Sequence, residues 1–309
     1  MSVRVVFVGG SEFARHMLDE LLKSDAEVCA VYSLPGEHAG ATSEGREPGD
    51  LAGARGIEHH TVSDLAEGVH VARLRELNPD LVLAMGDVQP LAAEVRATAR
   101  LGAVGSHASL LPRNRGRDAS PWHILNGESE GGLTFFVLAD GIDDGPVVLQ
   151  RRFRIGLTDT ARTLYDKTIA AGRGMLRELL AMAADGALRA TPQDASKATH
   201  VPPRRPEDDR IDWRGNARKI YDLVRARTEP WSGAYLYLGG RKVTVWEAGF
   251  SHEPVEGRPG EVMRISDRGV EVVTGAGLVV LRTLETDRGK EHASQVFARA
   301  AVEPGAVLT

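Results

Sequence analysis

A chain of 309 residues, 42% apolar and 26% charged, is long enough for two cored domains and ordinary for a soluble globular protein. Its net charge of -5 argues against nucleic-acid binding, which calls for a basic domain. No apolar run reaches the ~20 residues needed to span a bilayer, so no membrane partner is expected.

Met1–Gly10, MSVRVVFVGG, has too short an apolar stretch for a signal peptide. Val3–Val8 reads as a strand ending in Gly9-Gly10. Ser11 then caps a helix with Glu12 in its first turn and Phe13, Met17, Leu21 and Leu22 at helical spacing. A second apolar run, Val28–Tyr32, completes a βαβ unit of a parallel sheet. It contains the lone Cys29, which makes no internal disulfide and no cysteine metal site, and reads as a small buried apolar residue. Together these features point to a cytoplasmic protein. Pro35–Asp50 reads as a loop, His70–Leu77 as a helix, Asp80–Met85 as a buried strand and Leu91–Thr98 as a helix. Gly102–Gly105 is a short strand leading into a loop that carries His107. Gly132–Leu138 and Pro146–Phe153 read as strands and Asp159–Ala184 as a long helix.

Leu188–Pro206 contains TPQD and VPPRRP and reads as a linker. The expected domains are therefore 1–200, with the linker at about 188–206, and 207–309. Beyond it, Trp213–Arg227 reads as a helix. Short β runs follow at Ala234–Leu238, Lys242–Ala248, Glu261–Ile265, Gly269–Val273 and Leu278–Leu284, the pattern of a small barrel or sandwich.

Two loops concentrate the chemistry. The first holds His107, Ser109, Pro112, Arg115 and Arg117; the second holds Asp140, Asp143 and Asp144. An imidazole titrates near neutrality, and a nearby carboxylate favours its charged form. Such a pair can donate a proton to a developing oxyanion or relay one away from an attacking amine.

The stretches VVFVGGSEFARHMLDELL, HASLLPRNRGR and LADGIDDGPVVLQ resemble the N10-formyltetrahydrofolate-dependent formyltransferases, the methionyl-tRNA formyltransferases and their sugar-modifying relatives. RRPEDDRIDW and LVRARTEPWSGAY resemble the start of that family's C-terminal domain. The likeness is greatest to the domain that acts on UDP-4-amino-4-deoxy-arabinose. The resemblance covers nearly the whole chain. It implies an α/β fold: a Rossmann-like parallel-sheet catalytic domain and a small C-terminal OB-like β-barrel domain. It implies formyl transfer from N10-formyltetrahydrofolate to a primary amine, with no metal. His107 matches the family's catalytic histidine and Asp143 its paired aspartate. Gln89, Pro90, Leu91, Arg117, Ala139, Asp140, Gly141, Ile142 and Asp143 match its folate-site positions. Gly9 and Ser11 fall at the acceptor side.

Gly105 departs from the pattern, because the family carries Asn there, whose amide donates to the oxyanion. Removing one such donor costs roughly 10²–10³ in rate. Another donor, such as the Ser106 hydroxyl, could replace it. The glycine could instead make room for a bulkier substrate, serve only a tight turn, or mark a catalytically impaired homologue. The presence of His107 and Asp143 together favours a substitute donor.

Recognition of tRNA requires basic surface. The loop PGEHAGATSEGREPGD carries Glu37, Glu44, Glu47 and Asp50 against Arg46 alone. This disfavours tRNA and suits a small amine, a nucleotide-linked amino sugar first. Methionyl-tRNA, or an amino acid side chain such as hydroxyornithine, are the alternatives. Arg204, Arg205 and Arg225 are candidates to meet a diphosphate. Small-molecule relatives are often dimers through the C-terminal region, which admits a homodimer.

Overall fold

The computed structural model describes residues 2–33, 48–86 and 90–308, in two compact units. The first comprises Met1–Ala119, Glu130–Arg154 and Asp166–Pro202. The second comprises Ser120–Ser129, Ile155–Tyr165 and Pro203–Thr309.

The first unit is built on a seven-stranded sheet. Its elements begin with β1 (Arg4–Val8), α1 (Glu12–Leu21), β2 (Glu27–Ser33), α2 (Pro48–Gly53), β3 (His59–Thr61), α3 (Gly68–Leu77) and β4 (Leu81–Ala84). They continue with α4 (Ala93–Arg96), β5 (Ala103–His107), β6 (Glu130–Val137), β7 (Val147–Arg154) and most of α6 (Ala161–Ala184), while α5 (Ala119–Leu125), between β5 and β6, falls almost wholly in the second unit. The strand order is β3-β2-β1-β4-β5-β6-β7. The five strands from β3 to β5 run parallel, and β6 and β7 close the edge antiparallel. Val5–Val8 and Leu81–Ala84 are all fully buried, as central strands covered on both faces must be. Ser11 caps α1 by accepting from the Ala14 N–H at 3.2 Å.

Several boundaries differ from the sequence reading. His107 is the last residue of β5 and not part of the loop that follows. Only Ala93–Arg96 of the expected helix over Leu91–Thr98 forms. Pro48–Gly53, at the end of the expected loop, is helical, while 34–47 lie outside the described residues. The stretch read as a linker belongs to the first unit as far as Pro202. Thr191 bridges Val147, and His200 bridges Arg115.

The second unit contains α7 (Ala217–Ala226), β8 (Ala234–Leu238), β9 (Arg241–Ser251), β10 (Val262–Ser266), β11 (Gly269–Val273), β12 (Leu278–Thr286), β13 (Gly289–His292) and α8 (Ala293–Arg299). Its antiparallel sheet runs β10-β11-β12-β9-β8, with β13 on β12. The helix expected from Trp213 begins only at Ala217, because the Asn216 side chain accepts from the Lys219 N–H at 2.8 Å and caps it there. Trp213 lies instead in the core with Ile211, Ile220, Val245, Leu281 and Phe297. Among the described residues no helix is long and apolar enough to cross a membrane.

Candidate active site

β5 and β6 set the geometry. They pair antiparallel with Gly105 opposite Phe136 and His107 opposite Thr134. The alternation of a strand therefore puts Gly105 and His107 on one face and Ser106 on the other. The loop after His107 folds back over its own strand. Thr134 Oγ1 donates to the Ser109 carbonyl at 2.7 Å, and Gln150 Nε2 donates to the Leu111 carbonyl at 3.0 Å. The Ser109 hydroxyl donates to the Arg113 carbonyl at 2.7 Å.

This returns the Asn114 carbonyl to His107, whose Nε2 lies 2.7 Å from it. A carbonyl can only accept, so Nε2 carries a proton. The nitrogen left for chemistry is Nδ1. It faces Asp143 Oδ2 at 3.6 Å, an ion-pair separation; catalytic hydrogen bonds are commonly long before substrate binds. The His107 side chain is 9% exposed and that of Asp143 20%, so the imidazole is buried and the carboxylate half-buried at its edge. Asp143 Oδ2 also accepts from the Gly116 N–H at 2.8 Å, which ties the hairpin to the histidine loop.

Asp143 lies in the β6–β7 hairpin in the left-handed region, φ +52°, unusual for a non-glycine residue. The hairpin leaves little room around it. A Cβ on Gly145 would meet the Val137 carbonyl oxygen at 1.8 Å, and one on Gly141 would meet Asp144 Oδ2 at 2.0 Å. A residue the sequence reading did not single out holds this conformation. Gln193 Nε2 donates to the carbonyls of Asp143 at 2.8 Å and Gly145 at 2.7 Å. Its Oε1 accepts from buried Arg115, at 2.8 Å from Nη2. The Thr199 hydroxyl oxygen accepts from the Asn114 N–H at 2.8 Å. The stretch read as a linker is thus a brace for both loops. Only its mixed polar composition hinted at more than a spacer.

The other expected residues divide. Ala139, Asp140, Gly141 and Ile142 form the hairpin with Asp143. Ile142, next in the chain to Asp143, is an apolar side chain 67% exposed. Asp140 pairs with Arg96. Arg117 is exposed on the histidine loop, Pro90 is exposed and Leu91 is buried; Gln89 lies outside the described residues. Gly9 and Ser11 follow β1, and Gly86 follows β4, at the carboxyl ends of adjacent strands where the order of the sheet reverses. Ligands of open α/β sheets bind in such crevices. A Cβ on Gly86 would meet Ser11 Oγ at 2.1 Å.

Two sets of expected residues are placed otherwise. The Ser106 hydroxyl oxygen accepts from the Gly86 N–H at 3.0 Å, on the face opposite His107, so it does not stand where the missing amide would. Arg225 is 4% exposed. It donates to Asp222 at 2.7 Å and to the Asp159 carbonyl at 2.6 Å. Arg204 donates to Asp209 at 2.8 Å and stacks over Trp122, and Arg205 pairs with Asp208. Arg204 and Arg225 are engaged with the protein itself, whereas the Arg205 side chain is 78% exposed. Among the described residues no cluster of three or more His, Cys, Asp or Glu could hold a metal ion.

The formyl transferase family matches residues 2–180, and the family of its C-terminal domain matches residues 204–301. A methionyl-tRNA formyltransferase of Geotalea uraniireducens is 31% identical over 309 residues, covering 99% of this chain and 98% of that protein. HypX from Aquifex aeolicus, solved with tetrahydrofolic acid, superposes with a TM-score of 0.71 at 20% identity. It covers 100% of this chain, which spans about half of HypX, 51%. An N-formyltransferase from Helicobacter canadensis, solved with folinic acid and dTDP-3-aminofucose, superposes with a TM-score of 0.66 at 16% identity, covering 90% of this chain and 98% of that one. Both structural likenesses are likenesses of fold.

Proposed function

The chain belongs to the formyl transferase family, and from that premise we propose that it moves a formyl group from N10-formyltetrahydrofolate to the primary amine of a small acceptor, a nucleotide-linked amino sugar. The observation that carries the choice of a small acceptor is the state of the cations in the second unit. Arg204, Arg205, Arg214, Arg218, Arg225, Arg227, Arg264 and Arg299 each face a carboxylate within the unit. Binding to a polynucleotide draws its affinity from cations free to meet phosphates. Each of these eight cations already faces a carboxylate, which lowers the net positive charge the unit offers to a polyanion.

Formyl-tetrahydrofolate supplies an electrophilic one-carbon unit, and this chain's residues handle the protons. Nδ1 of His107 is the nitrogen that donates to an oxygen gaining charge, or accepts the proton an attacking amine gives up. Asp143 stabilises the imidazolium and sets its orientation. The Asn114 carbonyl fixes the tautomer by holding Nε2–H. The Gln193 brace keeps Asp143 at the distance this exchange requires. Exposed Ile142, with the backbone of Ala139–Asp143, offers the surface on which the folate ring system would lie. Binding both substrates side by side supplies much of the remaining rate.

Formylation of methionyl-tRNA is the second reading, favoured by the 31% identity that extends over nearly the full length of the Geotalea protein. The experiment that separates the two is an acceptor screen with formyl-tetrahydrofolate, read by mass spectrometry. A formylated amino-sugar nucleotide with matching release of tetrahydrofolate supports the first; formyl-methionyl-tRNA alone supports the second.

A further inference from the structure

Gly105 lies within β5, opposite Phe136 of β6 and beside Ala84 of β4. Its φ is not in the left-handed region, so a turn or backbone freedom does not explain the glycine. Space does. A Cβ at position 105 would stand 2.5 Å from Leu138 Cδ2, 3.3 Å from Leu138 Cγ and 3.5 Å from Phe136 Cε1. Thr134, Phe136 and Leu138 alternate onto one side of β6 and its continuation, the side that Gly105 and His107 share. Leu138 is also fastened. Its N–H donates to the Ala103 carbonyl at 2.8 Å, and its carbonyl accepts from Arg96 Nη1 at 3.2 Å. Its side chain packs on the apolar cluster that includes Ala84, Leu91, Val95 and Ala103.

We infer that Gly105 and Leu138 are a matched pair in which the isobutyl group of Leu138 fills the volume a side chain at 105 would take, walling the region beside His107 with hydrocarbon. The functional half of this inference rests on the formyl-transfer reading; the packing half stands without it. The space left by the absent amide is therefore occupied neither by another donor nor by room for a larger substrate. Stabilisation of the developing oxyanion falls to His107, whose N–H acts more strongly beside an apolar, water-poor wall. Leu138 is a positioning residue in this sense. It shapes the wall and excludes any amide from it.

The test is a double-mutant cycle on the full chain: native protein, G105N, L138A and G105N/L138A, each followed by thermal melting and by formyl transfer. G105N alone should melt roughly 4 °C or more below the native protein, because the new amide overpacks the site. In the double variant the amide has room. It should melt no lower than G105N, and turn over at least about tenfold faster than G105N, because an oxyanion donor has been restored. If G105N does not fold, G105A, which adds one carbon, completes the melting cycle with L138A. Melting shifts that simply add would overturn the pairing. Coupled melting with a double variant no faster than G105N, while the native protein is active, would overturn the catalytic half. Coupled melting with no formyl transfer by any of the four proteins leaves the pairing standing and removes the formyl-transfer reading.

Discussion

Polar groups are arranged differently in the two units, and the contrast separates chemistry from architecture. Around His107, side chains bond to backbone. His107 Nε2 meets the Asn114 carbonyl, Gln193 meets the carbonyls of Asp143 and Gly145, and Asp143 meets the Gly116 N–H. The frame is fixed while one imidazole nitrogen and one carboxylate stay facing each other. In the second unit, charged side chains bond to one another. Asp209 accepts from Arg204, Arg227 and the Ser232 hydroxyl, and Asp222 accepts from Arg218 and Arg225. Those ions are mutually neutralised and hold the fold. In the first unit backbone groups hold the imidazole and the carboxylate at 3.6 Å without closing a hydrogen bond between them; in the second unit the buried charges close on their opposites.

Mutations on each side should sharpen that contrast. The largest expected effect is that of His107→Ala, which should lower formyl transfer by roughly 10²–10⁴-fold while the melting temperature stays near native. Next is Asp209→Ala, which strands the buried guanidinium groups of Arg204 and Arg227. It should destabilise by about 3–5 kcal/mol in denaturant unfolding; a loss below about 1 kcal/mol would show that these ions do not hold the unit. Gln193→Ala removes the brace on Asp143. A drop in kcat of about tenfold, corresponding to about 1.4 kcal/mol, with little change in stability would place the brace in the reacting geometry. An equal loss of stability and no kinetic change would make it scaffold after all.

The smallest effect lies away from both regions. Hydrogen bonds from Arg73 and then His60 lower the Glu58 carboxyl to about 2. A depressed carboxyl contributes stability above its unfolded value near 4.5, and that contribution is lost as pH falls toward 2. Glu58 is 31% exposed, so the contribution is below about 1 kcal/mol. Glu58→Gln should flatten the pH dependence of melting between about 2 and 4.5, lower melting slightly above pH 5, where that contribution is lost, and leave melting near pH 2 unchanged.

Much of the first unit was legible because its signals are local. The β-branched run before Gly9, the Ser11 cap and the buried DLVLAM strand each act within a few residues. The imidazole–carboxylate pair was visible through the family's long motifs. What remained hidden depends on contacts distant in sequence. Nothing in LADGIDD announces that Leu138 fills the space over Gly105, and nothing in TPQD announces that Gln193 reaches the Asp143 carbonyl. β13 and α8 escaped because GKEH and ASQVFAR are short and weakly periodic; they form because Ala293, Val296 and Phe297 complete the core of the second unit. Arg225 looked available because a sequence does not display the Asp222 carboxylate three residues earlier as its partner.

The most direct test of the central claim is formyl transfer by the native protein and by His107→Ala, with formyl-tetrahydrofolate and an amino-sugar nucleotide, followed by mass spectrometry. The account predicts a product heavier by one formyl group from the native protein, released with an equal amount of tetrahydrofolate, and almost none from the variant. A variant that kept most of the native rate would contradict it, as would a native protein that formylated methionyl-tRNA and left the small amine untouched.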